Sequence, residues 1–213
     1  MNFIVGALVG YMGFRTGCNS GLLCRLVSGN VGAAVPVLFL TVLLIFWQGI
    51  TVGAFSFAWV QDFESPWFYA VAIFAGLLYT WTTYYGVQGL EKVALPAALI
   101  LVAVLLYAGW YNVNQAGGWD AFLALSRTTA AQNPLTNVQA MNIVIGSWIV
   151  GAVVMAEYTR FARQAWVAIA IPFIVLIVTQ WILQFVGAMG GVVSGNFDFT
   201  VYMRSVGTFV SLF

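Results

Sequence analysis

Histidine is absent from this chain of 213 residues, cysteine occurs only twice, and charged side chains make up 6% of it. Each scarcity excludes something. Without histidine, Cys18 and Cys24 make no recognisable zinc site, and two cysteines are too few for a disulfide scaffold. They read as small apolar residues. A soluble domain carries about 25% charged residues, so this composition is not that of one. Seven Lys and Arg against six Asp and Glu leave a net charge of +1, which gives nucleic acid no electrostatic footing. No pair of aspartates lies within an apolar run and no phosphate-cradling GxxxxGK[ST] motif occurs, so an intramembrane enzyme is a poor reading.

Apolar sequence is what the chain has in abundance: 62% of it is hydrophobic, with a mean hydropathy of +0.97. An all-α integral membrane protein follows, because a span needs about 20 apolar residues. Full-length spans are predicted at 35–60, 67–88, 93–111, 138–159 and 165–190. The first run, 1–14, is undersized: at about 1.5 Å per residue it reaches roughly 21 Å across a hydrocarbon core of about 30 Å. Gly6, Gly10, Gly13 and Gly17 mark it as a close-packing face. Residues 19–28 read as a short amphipathic helix at the membrane surface, and 112–137 as a long loop. Pro36, Pro96 and Pro172 read as prolines near span starts, where a missing N–H is tolerated. An undersized first helix and an end without polar residues together predict an internal piece of a longer transporter; the alternative is a small protein with shallow termini. Arg15, Arg25, Lys92, Arg160 and Arg163 fall on one side of these spans and Arg127 and Arg204 on the other. The positive-inside rule puts the five in the cytoplasm, hence a multi-pass protein of the plasma (inner) membrane.

Within the 138–159 span, Gly146 and Ser147 stand directly before the bulky Trp148, with Gly151 just beyond. A Gly–Ser pair loosens a helix, and interrupted helices build substrate sites in secondary transporters. An ordinary packed helix also tolerates both residues; a break near 146–148 is the expectation.

Several segments then resemble a known family in order and spacing. They are Gly10-Tyr-Met-Gly-Phe-Arg-Thr-Gly17, Leu22-Leu-Cys-Arg25, Gly29-Asn-Val-Gly32, Phe46-Trp-Gln-Gly49, Tyr85-Gly-Val-Gln-Gly-Leu-Glu-Lys-Val-Ala-Leu-Pro-Ala97, Gly117-Gly-Trp-Asp120 and the stretch from Gly146 to Arg163. Together they are similar to the nucleobase–cation symporters (purine and cytosine permeases), in particular the bacterial cytosine permease branch. The resemblance implies a leucine-transporter-like fold of two inverted repeats, of which this chain holds helices two to seven. It implies Na⁺ or H⁺ as coupling ion, with the ion site largely outside this stretch, and the remaining helices of a full-length transporter as partners. No other cofactor is implied.

On that alignment Trp47 and Trp148 fall where the family places aromatic walls around a flat heterocycle. Stacking on broad π faces suits a planar base, at roughly 0.5–1.5 kcal/mol per aromatic pair beyond area burial. Interfacial belts are the other home of membrane tryptophans. Trp47 and Trp148 are mid-span, whereas Trp67, Trp110, Trp119 and Trp166 lie at ends or in loops and read as anchors. Polar recognition falls to Ser147, to backbone freed around Gly146 and Gly151, and to Gln48 or Thr51, the latter on the same helical face as Trp47. Gln48, one residue around the helix from Trp47, also reads as a helix-packing residue. Where this chain has Thr51, some family members carry glutamine and cytosine permeases glycine; at Trp148, cytosine permeases carry phenylalanine. Glu157 and Arg160, three apart, read as an interfacial ion pair. The expected function is cation-coupled uptake of a nucleobase such as cytosine. The alternatives are a same-fold transporter of allantoin or a hydantoin, and a non-transporting membrane subunit.

Overall fold

The computed structural model describes residues 1–132 and 134–195; within it the side chains at 87, 88, 90 and 91 are not described. Asp198, Arg204 and the Glu91 side chain therefore lie outside the described residues. Every regular element among them is helical. In order these are α1 (Asn2–Thr16), α2 (Ser20–Gly32), α3 (Ala34–Val60), α4 (Pro66–Tyr84), α5 (Gly86–Gln115), α6 (Trp119–Gln132), α7 (Asn137–Val153), α8 (Ala156–Thr159) and α9 (Ala165–Phe173). A π-helical turn, Ile174–Thr179, leads from α9 into α10 (Gln180–Ser194). Four stretches among the described residues are long and apolar enough to cross a membrane: Ala34–Val60, Lys92–Gln115, Asn137–Thr159 and Ala165–Ser194. The outside of these helices carries large apolar side chains such as Leu38, Phe39, Ile45, Leu106, Ile143 and Trp181. Such surface belongs in lipid rather than water.

The chain divides into two compact units, residues 1–45 with 134–184, and residues 46–132 with 185–195. In the first unit α1 is the keystone. Its buried residues are Asn2, Gly6, Gly10 and Gly13, one stripe of a helix at spacings of four, four and three. A Cβ added at Gly13 would lie 2.8 Å from the Cα of Ala156, and one at Gly10 would lie 3.0 Å from the Ala168 carbonyl oxygen. At Gly6 it would meet Leu176 Cδ1 at 2.5 Å. The glycine face expected from sequence is thus real at three of its four positions. Gly17 instead ends α1 in a left-handed conformation (φ 68°), its N–H donating to the Gly13 carbonyl. Polar bonds support the contact: the Thr159 hydroxyl lies 2.9 Å from both the Gly10 and the Met155 carbonyl and shares its one proton between them, and Asn2 Nδ2 donates to the carbonyls of Val144 and Ile145, each at 3.2 Å.

The interruption expected near 146–148 lies elsewhere. α7 runs as regular helix through Gly146, Ser147 and Trp148 and ends only at Val153. Ser147 Oγ donates back to the Val144 carbonyl at 2.9 Å, a bond that an intact helix accommodates, so the Gly–Ser pair frees no backbone. The ladder changes at Val154 (φ −92°, ψ 9°), after which Met155, Glu157 and Tyr158 donate three residues back instead of four. That change bares the Val153 carbonyl. Ser20 Oγ donates to it at 3.2 Å, while the Ser20 N–H donates to Glu157 Oε1 at 3.0 Å. The first residue of α2 thus closes the α7–α8 junction from both sides. Glu157 is occupied there rather than with Arg160, whose guanidinium lies 4.6 Å from the Phe161 ring centroid.

Further along, Pro172 is buried against Gly6 and Gly10, inside α9 rather than at its start. The wide turn Ile174–Thr179 follows it at once, an expected response to a proline in a helix interior. Pro36 does occupy a first turn, but Pro96 lies well inside α5, because that helix starts at Gly86, earlier than the predicted span.

In the second unit the segment read as a loop over 112–137 holds a helix, α6. Gly117 and Gly118 (φ 90° and 106°) turn the chain after α5, and the Gly118 carbonyl accepts from Phe122 N–H at 3.0 Å. Phe122 is buried, with Trp119 tilted against it at 5.7 Å between ring centroids. Trp119 is thus part of helix packing, not a loop anchor.

Two outcomes test this packing in the intact gene product, by thermal unfolding in detergent. Gly13→Ala should cost roughly 1–3 kcal/mol because backbone must shift to admit the methyl group, whereas Gly76→Ala, which meets open space, should stay within about 0.5 kcal/mol. At the junction, Ser20→Ala should cost about 0.5–1.5 kcal/mol and Glu157→Leu at least as much, while Glu157→Gln, whose amide oxygen still accepts, should cost least. An undisturbed Glu157→Leu would remove the junction from the account.

Candidate functional site

The sequence-predicted residues divide between the two units. Trp47, Gln48 and Thr51 lie in the second, Gly146, Ser147, Trp148 and Gly151 in the first. On α3, Trp47, Gln48 and Thr51 are all exposed. Thr51 Oγ1 donates to the Trp47 carbonyl at 2.9 Å, which commits its proton and leaves its oxygen able to accept. The expected sharing of a face by Trp47 and Thr51 is present.

On α7 the geometry is more specific. Trp148 is half-buried and packs against a small core of Ala152, Met155 and Leu176, bordered by Val5, Ile171 and Val175. Its six-membered ring folds along its own helix over Gly151: a Cβ added there would lie 2.6 Å from Trp148 Cε3 and 3.0 Å from Cζ3. Gly151 therefore seats the indole. Any larger residue would lift the ring away from the helix. Gly146 contributes neither freed backbone nor a close contact; an added Cβ there meets nothing within 4 Å. The recognition role expected of backbone at Gly146 has no basis in a regular helix.

Ser147 makes two hydrogen bonds. Beyond its bond to Val144, its oxygen accepts from Gln184 Nε2 on α10 at 3.4 Å. The candidate site in this unit is thus a seated indole on the residue next to a serine–glutamine pair. Gln184 was missed in the sequence although it stands inside an apolar span; its position there was the available signal. Ser20 and Glu157 were missed as a pair because they lie 137 residues apart. Among the described residues no cluster of acids and cysteines has metal-holding spacing.

No family model matches the chain. It is similar to the cytosine permease of Escherichia coli O157:H7, 28% identical over 209 residues, which is 97% of this chain and 49% of that protein. The cytosine permease of Escherichia coli strain K12 is 27% identical over the same shares. The chain spans about half the length of these curated relatives, and over nearly all of its own length it is a nucleobase-permease-like sequence of a multi-pass membrane protein.

Proposed function

We propose that this chain forms part of a secondary active transporter that takes up a nucleobase or related heterocycle, driven by Na⁺ or H⁺, across the plasma membrane. The observation that carries the reading is the seated Trp148: a half-buried indole near the middle of a membrane-length helix, in a chain similar throughout to cytosine permeases. An aromatic plane at that depth gives a flat base a desolvated wall, and the Gln184 amide, in contact with Ser147, offers its polar edge a partner. The leucine-transporter-like arrangement of inverted repeats is the architecture this reading assumes. Trp47, with Gln48 and Thr51, is proposed as a second set of substrate contacts on α3.

Uptake of radiolabelled cytosine, uracil, hypoxanthine, allantoin and a hydantoin by the intact gene product, with and without a Na⁺ gradient, tests the reading. Trp148→Ala should weaken uptake about 5- to 150-fold, the equivalent of roughly 1–3 kcal/mol, and Trp148→Phe should keep part of it. Gly151→Leu should mimic Trp148→Ala by unseating the ring. Trp67→Ala is the control, since that side chain is 73% exposed at the start of α4. Equal losses at Trp148 and Trp67 would indicate damaged folding rather than recognition. Uptake of none of the five compounds would remove the nucleobase assignment.

A further inference from the structure

Gln184, exposed on α10, is one of two long amides, with Gln180 one turn earlier, in the largely apolar stretch Ala165–Ser194. It is the twentieth of those thirty residues, so it lies roughly 7 Å from the stretch's midpoint at about 1.5 Å rise per residue. The hydrocarbon core extends about 15 Å either side of its own midplane, which places this amide at membrane depth. A primary amide there needs hydrogen-bonding partners, and polar groups at that depth line substrate paths more often than they face lipid.

Its one hydrogen bond among the described residues defines its orientation. Ser147 Oγ donates its proton to the Val144 carbonyl at 2.9 Å, so towards Gln184 it can only accept. The amide nitrogen is accordingly the end that faces Ser147, at 3.4 Å. A glutamine amide left alone flips, presenting donor and acceptor in either order. This one is biased to one order. Its Oε1 and its second N–H remain to meet a ligand, and the residue it touches, Ser147, directly precedes the seated Trp148 on α7.

We infer that Gln184 reads the polar edge of the substrate, and that Ser147 sets the sense in which it reads. This rests on the nucleobase reading above. An acceptor–donor pair biased to one order complements a heterocycle edge that offers an adjacent donor and acceptor in one order and mismatches the reverse order. Cytosine, with ring N3 accepting and its 4-amino group donating, and uracil, with N3–H donating and O4 accepting, present opposite orders. Gln184 is thus a specificity-determining contact, and Ser147 is a positioning residue that acts through it.

The test measures KM and maximal rate for cytosine and uracil in the intact gene product and in Gln184→Met, Ser147→Ala and the double variant. Methionine keeps the volume without the hydrogen bonds. Gln184→Met should raise KM for the preferred base about 5- to 20-fold with little change in maximal rate, and should bring the two bases to nearly equal KM. Ser147→Ala should leave KM for the preferred base within about threefold but admit the disfavoured one, because the amide can then flip. The double variant should be no less selective than Gln184→Met. Gln184→Ala, with thermal unfolding alongside, serves if the methionine variant folds poorly. Unchanged selectivity in both single variants would overturn the inference, as would equal KM increases for both bases accompanied by matching losses of stability, which describe a helix-to-helix tie. If the unaltered protein binds cytosine or uracil but ignores Gln184, only this inference falls; if it takes up neither base, the nucleobase reading falls and this one with it.

Discussion

Close approach of helix backbones along the glycine stripe of α1 is the constraint on which the first unit depends. Lipid offers no hydrophobic drive for one helix to leave it for another, so association rests on contact area and on polar bonds made possible by nearness. Gly10 and Gly13 bring α1 close enough for Thr159 Oγ1 to reach a backbone oxygen, and Gly6 admits Leu176 from the π-helical turn. Leu176 and Met155, both in contact range of that stripe, are the residues against which Trp148 packs. A methyl group on α1 would therefore be felt at the indole, although no α1 glycine would touch a substrate.

The second theme is how freed backbone is managed. At the α7–α8 junction a bare carbonyl meets a serine hydroxyl, and a carboxylate meets that serine's own N–H. Satisfying such groups internally is the condition for any non-helical backbone at membrane depth. The interruption of this span thus sits at Val154, beyond the indole, and the part of α7 that carries Ser147 and Trp148 is regular helix. A hydrogen-bonded helix holds an aromatic wall more steadily than an unwound segment would.

Much of this was readable from residue order alone. The helical membrane class follows from apolar runs and scarce charge, and the packing face follows from Gly6, Gly10 and Gly13, because small residues at helical spacing have few other uses there. What escaped was tertiary. Gly146 and Ser147 have the composition of a break, yet the hydroxyl found a bond within the helix, and the true break at Val154 carries no Gly or Pro to announce it. α6 hid in a loop reading because its apolar content is low, and only Gly117–Gly118 before it and buried Phe122 within it mark its start and its face. Gln184 escaped because its partner is 37 residues away and on another helix.

The most direct test of the central claim is an experimental structure of the intact gene product with a bound nucleobase. The base should lie flat against the Trp148 indole, with that ring still over Gly151 and α7 helical through Gly146. A base bound away from Trp148, or reaching it only through an unwound segment at 146–148, would contradict it.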